Sequence, residues 1–74
     1  MTTLNLMKKN QSGRIASIRA AGSLTSRLMA MGLLPGAKVQ VLGVAPLGDP
    51  MLVQLEGCRM SLRRSEAESL TIEE

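Results

Sequence analysis

The chain has 74 residues, one cysteine, no histidine and no Phe, Tyr or Trp, and its net charge is +3. A chain of this length forms a single domain with a thin core, here taken as residues 1–74. The lone Cys58 excludes an internal disulfide, and without histidine a tetrahedral Cys/His zinc site within one chain is excluded. Stability therefore has to come from aliphatic packing and from association.

The side chains present argue against catalysis. Without histidine the commonest acid–base group is absent, and the glycines do not follow the spacing of a phosphate-binding loop. Cys58 falls on an apolar, alternating face, so we predict a buried small hydrophobe and no nucleophile. We expect no enzyme activity, no catalytic residues, no metal site and no cofactor.

Two short strands are predicted near the N-terminus. Leu4 and Leu6 are spaced to share one face of the first strand. Residues 13–19 are rich in β-branched side chains and suit the second strand. Ile15 and Ile18 are three residues apart, which breaks the two-residue period and predicts a bulge or bend between them.

A helix is predicted from about residue 24 to residue 31. Its apolar stripe at i, i+4 and i+7 consists of Leu24, Leu28 and Met31. Ser23 can act as the N-cap, and Gly32 follows where a left-handed cap favours glycine. Residues 34–37, Leu-Pro-Gly-Ala, then have the chemistry of a type II turn.

The second half of the chain predicts four strands and one helical turn. Residues 38–41 alternate polar and apolar side chains, and residues 45–50, Ala-Pro-Leu-Gly-Asp-Pro, form a loop. Residues 51–55 and 58–62 alternate on either side of Glu56-Gly57 and predict a hairpin. Ser65 and Glu68 have capping-box spacing, and residues 70–72 predict a closing strand. About five short strands with one inserted helix indicate a mainly β fold, a small closed or nearly closed barrel.

The loop at residues 45–50 has two interpretations. It is either a stiff connection between strands or a preordered contact surface, because prolines reduce the entropy lost on docking. Leu47, between Pro46 and Gly48, has few places to be buried.

Several segments in this order resemble the bacterial ferrous iron transport protein A family. They are residues 13–18 (Gly-Arg-Ile-Ala-Ser-Ile), 28–36 (Leu-Met-Ala-Met-Gly-Leu-Leu-Pro-Gly), 44–50 (Val-Ala-Pro-Leu-Gly-Asp-Pro), 58–63 (Cys-Arg-Met-Ser-Leu-Arg) and 65–68 (Ser-Glu-Ala-Glu). The resemblance covers roughly residues 4–72.

The resemblance implies a small SH3-like β-barrel with an inserted helix. It also implies a cytosolic accessory protein of a bacterial ferrous iron uptake system. The expected partner is the membrane Fe(II) transporter that carries a GTPase domain, through which the protein would be recruited to the inner membrane. The family has no agreed catalytic residues, so none is carried over.

The residues themselves agree with a cytosolic protein that binds a partner. No segment has the pattern of a signal peptide or approaches the roughly 20 apolar residues of a membrane span. We therefore expect no direct membrane insertion, and a monomer or weak self-association. The docking surface is predicted at the helix–turn corner and the following loop: Met31, Gly32, Leu33, Pro35, Pro46, Leu47, Gly48, Asp49 and Pro50.

An alternative is a small basic SH3-like module that binds RNA or DNA. The first 64 residues carry nine basic side chains against two acidic ones. The candidate strip consists of Lys38, Arg59, Arg63 and Arg64. No aromatic side chain is available to stack on a base, which favours an ordinary solvated surface and makes nucleic acid the less expected partner.

Overall fold

The computed structural model describes residues 1–20 and 22–74. Within them, six antiparallel strands form one sheet in the order β1-β6-β2-β3-β4-β5. The strands are β1 Thr2–Thr3, β2 Ser12–Ile18, β3 Lys38–Val44, β4 Met51–Leu55, β5 Cys58–Leu62 and β6 Leu70–Glu73. The helices are a 3₁₀ turn at Leu4–Leu6, α1 at Ser23–Ala30 and α2 at Arg64–Ala67.

The sheet curls around a single aliphatic core. Alternate residues of β3, β4 and β6 face inward and are buried: Val39, Val41, Met51, Val53, Leu55, Leu70 and Ile72. Leu28 of α1 is completely buried against them. The helix therefore covers the core with Leu28 and, in part, with Leu24, whereas Met31, predicted to be on the same stripe, follows the end of α1 and is exposed.

The bulge expected in the second strand is confirmed. The pairing of β2 with β6 shifts register between Ile15 and Ser17. Just before it, β2 passes very close to β6 at Gly13, where a Cβ atom would lie 2.8 Å from the carbonyl oxygen of Glu73. Real Cβ atoms do not approach a backbone oxygen this closely, so the close approach of β2 to β6 at position 13 requires glycine.

The turn chemistry that follows α1 is also confirmed. Gly32 has φ +96° and Gly36 has φ +91°, both in the region that favours glycine. The N–H of Ala37 donates to the carbonyl of Leu34 at 2.9 Å and closes the predicted four-residue turn. The hairpin of β4 and β5 and the closing strand β6 are present as expected.

The first expectation to fail concerns the N-terminal strand. Strand β1 is only two residues long, lies at Thr2–Thr3 and pairs with β6. Leu4 and Leu6 lie in the 3₁₀ turn instead of a strand. Because that turn has a three-residue period, Leu4 is buried in the core and Leu6 is exposed.

The two predicted helix N-caps, Ser23 and Ser65, were misplaced by one and two positions. Gly22, with φ +62°, occupies the N-cap of α1, and Ser23 is the first helical residue. In α2 the Glu66 carboxylate accepts from the N–H of Arg63 at 2.9 Å, so the capping interaction starts before Ser65. Cys58, predicted to be buried, is exposed because it begins the edge strand β5 at the hairpin turn.

Candidate functional site

The loop at residues 45–50 joins β3 to β4 and is internally hydrogen-bonded. The N–H of Gly48 donates to the carbonyl of Ala45 at 2.7 Å, and the N–H of Ala45 donates to the carbonyl of Pro50 at 3.0 Å. Gly48 has φ +87°, and the Asp49–Pro50 peptide bond is cis. The loop is therefore an ordered turn closed at its base.

Arg64 ties this loop to the rest of the domain. Its Nη1 donates to the carbonyl of Gly48 at 3.1 Å, and its Nη2 donates to the carbonyl of Asn5 at 2.6 Å. The backbone N–H of Arg64 donates to Oδ1 of Asp49 at 3.1 Å. The planar guanidinium spans two carbonyls in a fixed fork, which holds the loop against the 3₁₀ turn.

Leu47 projects from the tip of this anchored loop and is 96% exposed. The exposed side chains of Val44 and Leu52 lie beside the loop, where a shallow cleft is lined by Val44, Ala45, Pro50, Leu52 and Ser61 among others. Complete burial of a leucine side chain is worth about 1.5–3 kcal/mol. Docking can recover that free energy at Leu47, and the ordered loop reduces the entropy lost.

Basic residues border this apolar region. A second cleft, which shares Gly43 and Val44 with the first, is also lined by Met7, Lys8, Lys9 and Arg64. Arg63 is exposed and follows Leu62, which pairs with Met51 at the start of β4. We call the whole region the loop-end surface: residues 44–50, Leu52, Lys8, Lys9, Arg63 and Arg64.

The predicted docking residues fall into two separate patches. Met31, Gly32 and Pro35 are exposed at the helix–turn corner, near the first residue of β3, whereas residues 46–50 follow its last residue. A strand of seven residues separates its ends by up to about 20 Å. One partner would need a broad footprint to contact both patches.

Leu33 has to be removed from the predicted docking surface. Its side chain has 0% exposure and belongs to the core, so it cannot contact a partner. Its N–H donates to the carbonyl of Leu28 at 3.1 Å. The neighbouring Leu34, Met29 and Met31 are the exposed apolar side chains of this corner.

The candidate nucleic-acid strip is also divided. Lys38 begins β3 and Arg59 lies near the hairpin turn, where its Nε donates to Oε1 of Gln54 at 3.1 Å. Arg63 and Arg64 lie at the opposite end of β5. Arg64 is partly buried and its two Nη groups are engaged with backbone carbonyls. The four cations therefore do not form one continuous strip.

Across residues 1–20 and 22–74, no three side chains of the His, Cys, Asp or Glu type come together as metal ligands. Over the same residues, no helix has the length and apolar character needed to cross a bilayer.

Sequence patterns did not point to Lys8, Lys9 or the anchoring role of Arg64. Lys8 and Val44 are far apart in the chain and line the same cleft in the folded domain. The bond from Arg64 to Asn5 joins residues 59 positions apart. No local pattern carries such a relationship.

Comparison with known proteins places the chain in a family. A family model described as the FeoA domain matches residues 2–74. The FeoA protein of Chlorobium tepidum is 39% identical, with a TM-score of 0.89 over 96% of this chain and 68% of that one. The FeoA-like protein of Clostridium acetobutylicum is 30% identical, with a TM-score of 0.90 over 97% of this chain and 84% of that one.

A third structure supports the SH3-like description of the fold. FeoA of Stenotrophomonas maltophilia, solved with zinc, is 27% identical, with a TM-score of 0.86 over 99% of this chain and 91% of that one. That protein is described as a prokaryotic SH3 domain protein possibly acting as a ferrous iron transport activating factor. The chain has the same mainly β, SH3-like fold with an inserted helix, and it belongs to the FeoA family, which is associated with ferrous iron transport.

Proposed function

We propose that this protein is a cytosolic accessory protein that binds and modulates the membrane Fe(II) transporter carrying a GTPase domain. It is recruited to the inner membrane through that partner and catalyses no reaction itself. Membership of the FeoA family supports the link to ferrous iron uptake. The partner and the mode of action are the proposal.

The observation that carries the proposal is the display of Leu47. A leucine exposed to 96% at the tip of a loop contributes nothing to the core of this domain. The surrounding structure nevertheless holds that loop in place through Arg64 and through the hydrogen bonds at its base. An ordered aliphatic side chain exposed to solvent can fill a pocket at the centre of a protein interface.

Co-purification with the transporter tests this function. The tagged protein is used to capture partners from bacterial membranes solubilised in mild detergent, and bound proteins are identified by mass spectrometry. We expect the wild type to retain the Fe(II) transporter. Leu47→Asp should lose most of it, because a carboxylate in an apolar socket is left desolvated without a partner.

A matched variant controls for the added charge. Ser26→Asp places the same carboxylate on the exposed face of α1, outside both candidate patches, and should retain the transporter as the wild type does. Thermal unfolding of both variants should stay close to that of the wild type. Capture of ribosomal proteins or RNA with no transporter would favour the nucleic-acid alternative and contradict the proposal.

A further inference from the structure

The side-chain charges are distributed unevenly over the domain. The loop-end surface holds four cations and one carboxylate: Lys8, Lys9, Arg63, Arg64 and Asp49. Four positive charges against one negative give +3, which is the net charge of the whole chain. The remaining five cations and five carboxylates cancel, so the entire excess charge lies on the loop-end surface.

The carboxylates outside this surface include three at the opposite end of β3. Glu73 is opposite Arg14 in the β2–β6 pairing, and Arg14 is opposite Lys38, the first residue of β3. Glu56 follows Leu55, which pairs with Val39 near the same end, and Glu74 shares a cleft with Lys38. The domain is therefore polarised along β3, with its excess positive charge beside Leu47.

One carboxylate close to the loop-end surface does not change this balance. Glu66 caps the N–H of Arg63, but its other oxygen lies 4.0 Å from Nη2 of Arg27. Counting Glu66 with the surface therefore also brings Arg27 into the count, and the sum stays the same.

We infer that the loop-end surface docks against an acidic protein surface with an apolar socket for Leu47. This inference rests on the proposed function and specifies the chemistry of the partner's receiving face. Because the loop-end surface is positive, charge complementarity requires the partner's face to be negative. Because Leu47 is exposed, that face also needs an apolar pocket in which the side chain can be buried.

A protein is favoured over an anionic lipid surface by two features of the loop. The tip carries a carboxylate, Asp49, which anionic headgroups would repel, and one projecting leucine, which is a small apolar anchor for a bilayer. The loop is also held in one shape by Arg64. A fixed shape assists docking into a matching socket, whereas a fluid bilayer requires no such match.

Electrostatic attraction of this kind acts mainly on the rate of association. Complementary fields raise association rates by about 10- to 1000-fold at low salt, and salt removes the gain as the Debye length shortens. Neutralising cations at the rim of an interface therefore lowers the association rate and weakens its salt dependence.

The test measures association of the full chain with the purified full-length transporter in neutral detergent, from about 50 to about 500 mM salt. The double variant Lys8→Gln/Lys9→Gln removes two charges from the loop-end surface. The double variant Arg19→Gln/Lys38→Gln removes two exposed charges from elsewhere and serves as the control. Both have the same net charge, so any difference between them reports the position of the charges.

The inference predicts an association rate for the wild type that falls by tenfold or more across this salt range. Lys8→Gln/Lys9→Gln should lower the low-salt rate about tenfold and flatten the salt dependence, while the control stays within about twofold of the wild type. Binding that is independent of salt, or equal losses in the two double variants, would overturn the inference and leave the proposed function standing.

Two further outcomes are distinguishable from these. If the folded wild type does not bind the transporter at any salt concentration, the proposed function fails, and the inference fails with it. Vesicles of phosphatidylglycerol and phosphatidylcholine provide the lipid arm of the test. Binding to the anionic vesicles that the Lys8/Lys9 variant loses, with transporter binding unchanged, would assign the surface to lipid and overturn the inference.

Discussion

Arg64 and Gly48 are joined by a hydrogen bond of 3.1 Å, from the guanidinium Nη1 at the start of α2 to the carbonyl oxygen of Gly48 next to the loop tip. The same guanidinium reaches the carbonyl of Asn5 at 2.6 Å. One side chain thus fixes the loop that displays Leu47 relative to the N-terminal turn. Arg64 therefore both positions Leu47 and contributes to the stability of the domain around the loop.

Arg64→Lys should weaken partner binding more than it weakens the fold. Lysine keeps the charge but cannot bridge two carbonyls with a planar fork. We expect a loss of about 1–3 kcal/mol in the free energy of unfolding, measured by denaturant titration. Partner affinity should fall further, because the loop is no longer held in its docking conformation. The control is Arg63→Lys at the exposed neighbouring position, which should change the unfolding free energy little. Equal effects of the two substitutions would contradict the anchoring role of Arg64.

Gly13→Ala should destabilise the domain through the contact of β2 with β6. The new Cβ would lie 2.5 Å from Cγ2 of Ile72 and 2.8 Å from the carbonyl oxygen of Glu73, so the strands must separate. The cost should be about 1–3 kcal/mol, as for other overpacked sites, and is measured by thermal or chemical unfolding.

The matched control is Gly43→Ala on β3. A Cβ at Gly43 meets no atom within 4 Å, and its backbone is not in the left-handed region. Its unfolding free energy should stay within about 0.5 kcal/mol of the wild type. If Gly13→Ala lowered the unfolding free energy as little as Gly43→Ala does, the contact between β2 and β6 at Gly13 would be looser than the structure shows.

Leu33→Ala should lower the free energy of unfolding by about 2–5 kcal/mol, because the side chain is completely buried and its removal leaves a cavity. Leu34→Ala, at an exposed neighbour, should cost far less. Comparison of the two denaturation midpoints separates a core role from a docking role at the helix–turn corner. A mild effect of Leu33→Ala would return that residue to the candidate contact surface.

Cys58 should react with a thiol reagent in the native protein. It is exposed at the hairpin turn, so modification should proceed without unfolding, at a rate close to that of the denatured chain. Cys58→Ala should leave the melting temperature almost unchanged. Protection of the thiol until the domain unfolds would show that the side chain is buried after all.

The parts of the fold that follow local rules could be predicted from the sequence. The helix stripe at Leu28, the glycine at position 32 and the alternation of Met51, Val53 and Leu55 each depend on a few neighbouring residues. Cys58 has the same alternation but is exposed, because it begins the edge strand β5, which has a neighbouring strand on one side only. The period of the sequence shows which side chains share one face of a strand or helix. How deeply that face is buried depends on the tertiary packing.

The candidate site was predicted in part for the same reason. Exposure of Leu47 could be predicted because its immediate neighbours are a proline and a glycine in a short loop. The hydrogen bonds of Arg64 and the proximity of Lys8 to Val44 depend on how distant segments pack. The separation of the two predicted docking patches also follows from topology, since they lie at opposite ends of β3.

The most direct test of the account is the affinity of the purified Fe(II) transporter for the wild type and for Leu47→Asp, measured alongside their thermal unfolding. Loss of a central apolar anchor costs about 2 kcal/mol or more, so the variant should bind about 30-fold more weakly while melting at the same temperature. Unchanged affinity in a folded Leu47→Asp protein would contradict the central claim that the loop displays Leu47 for this partner.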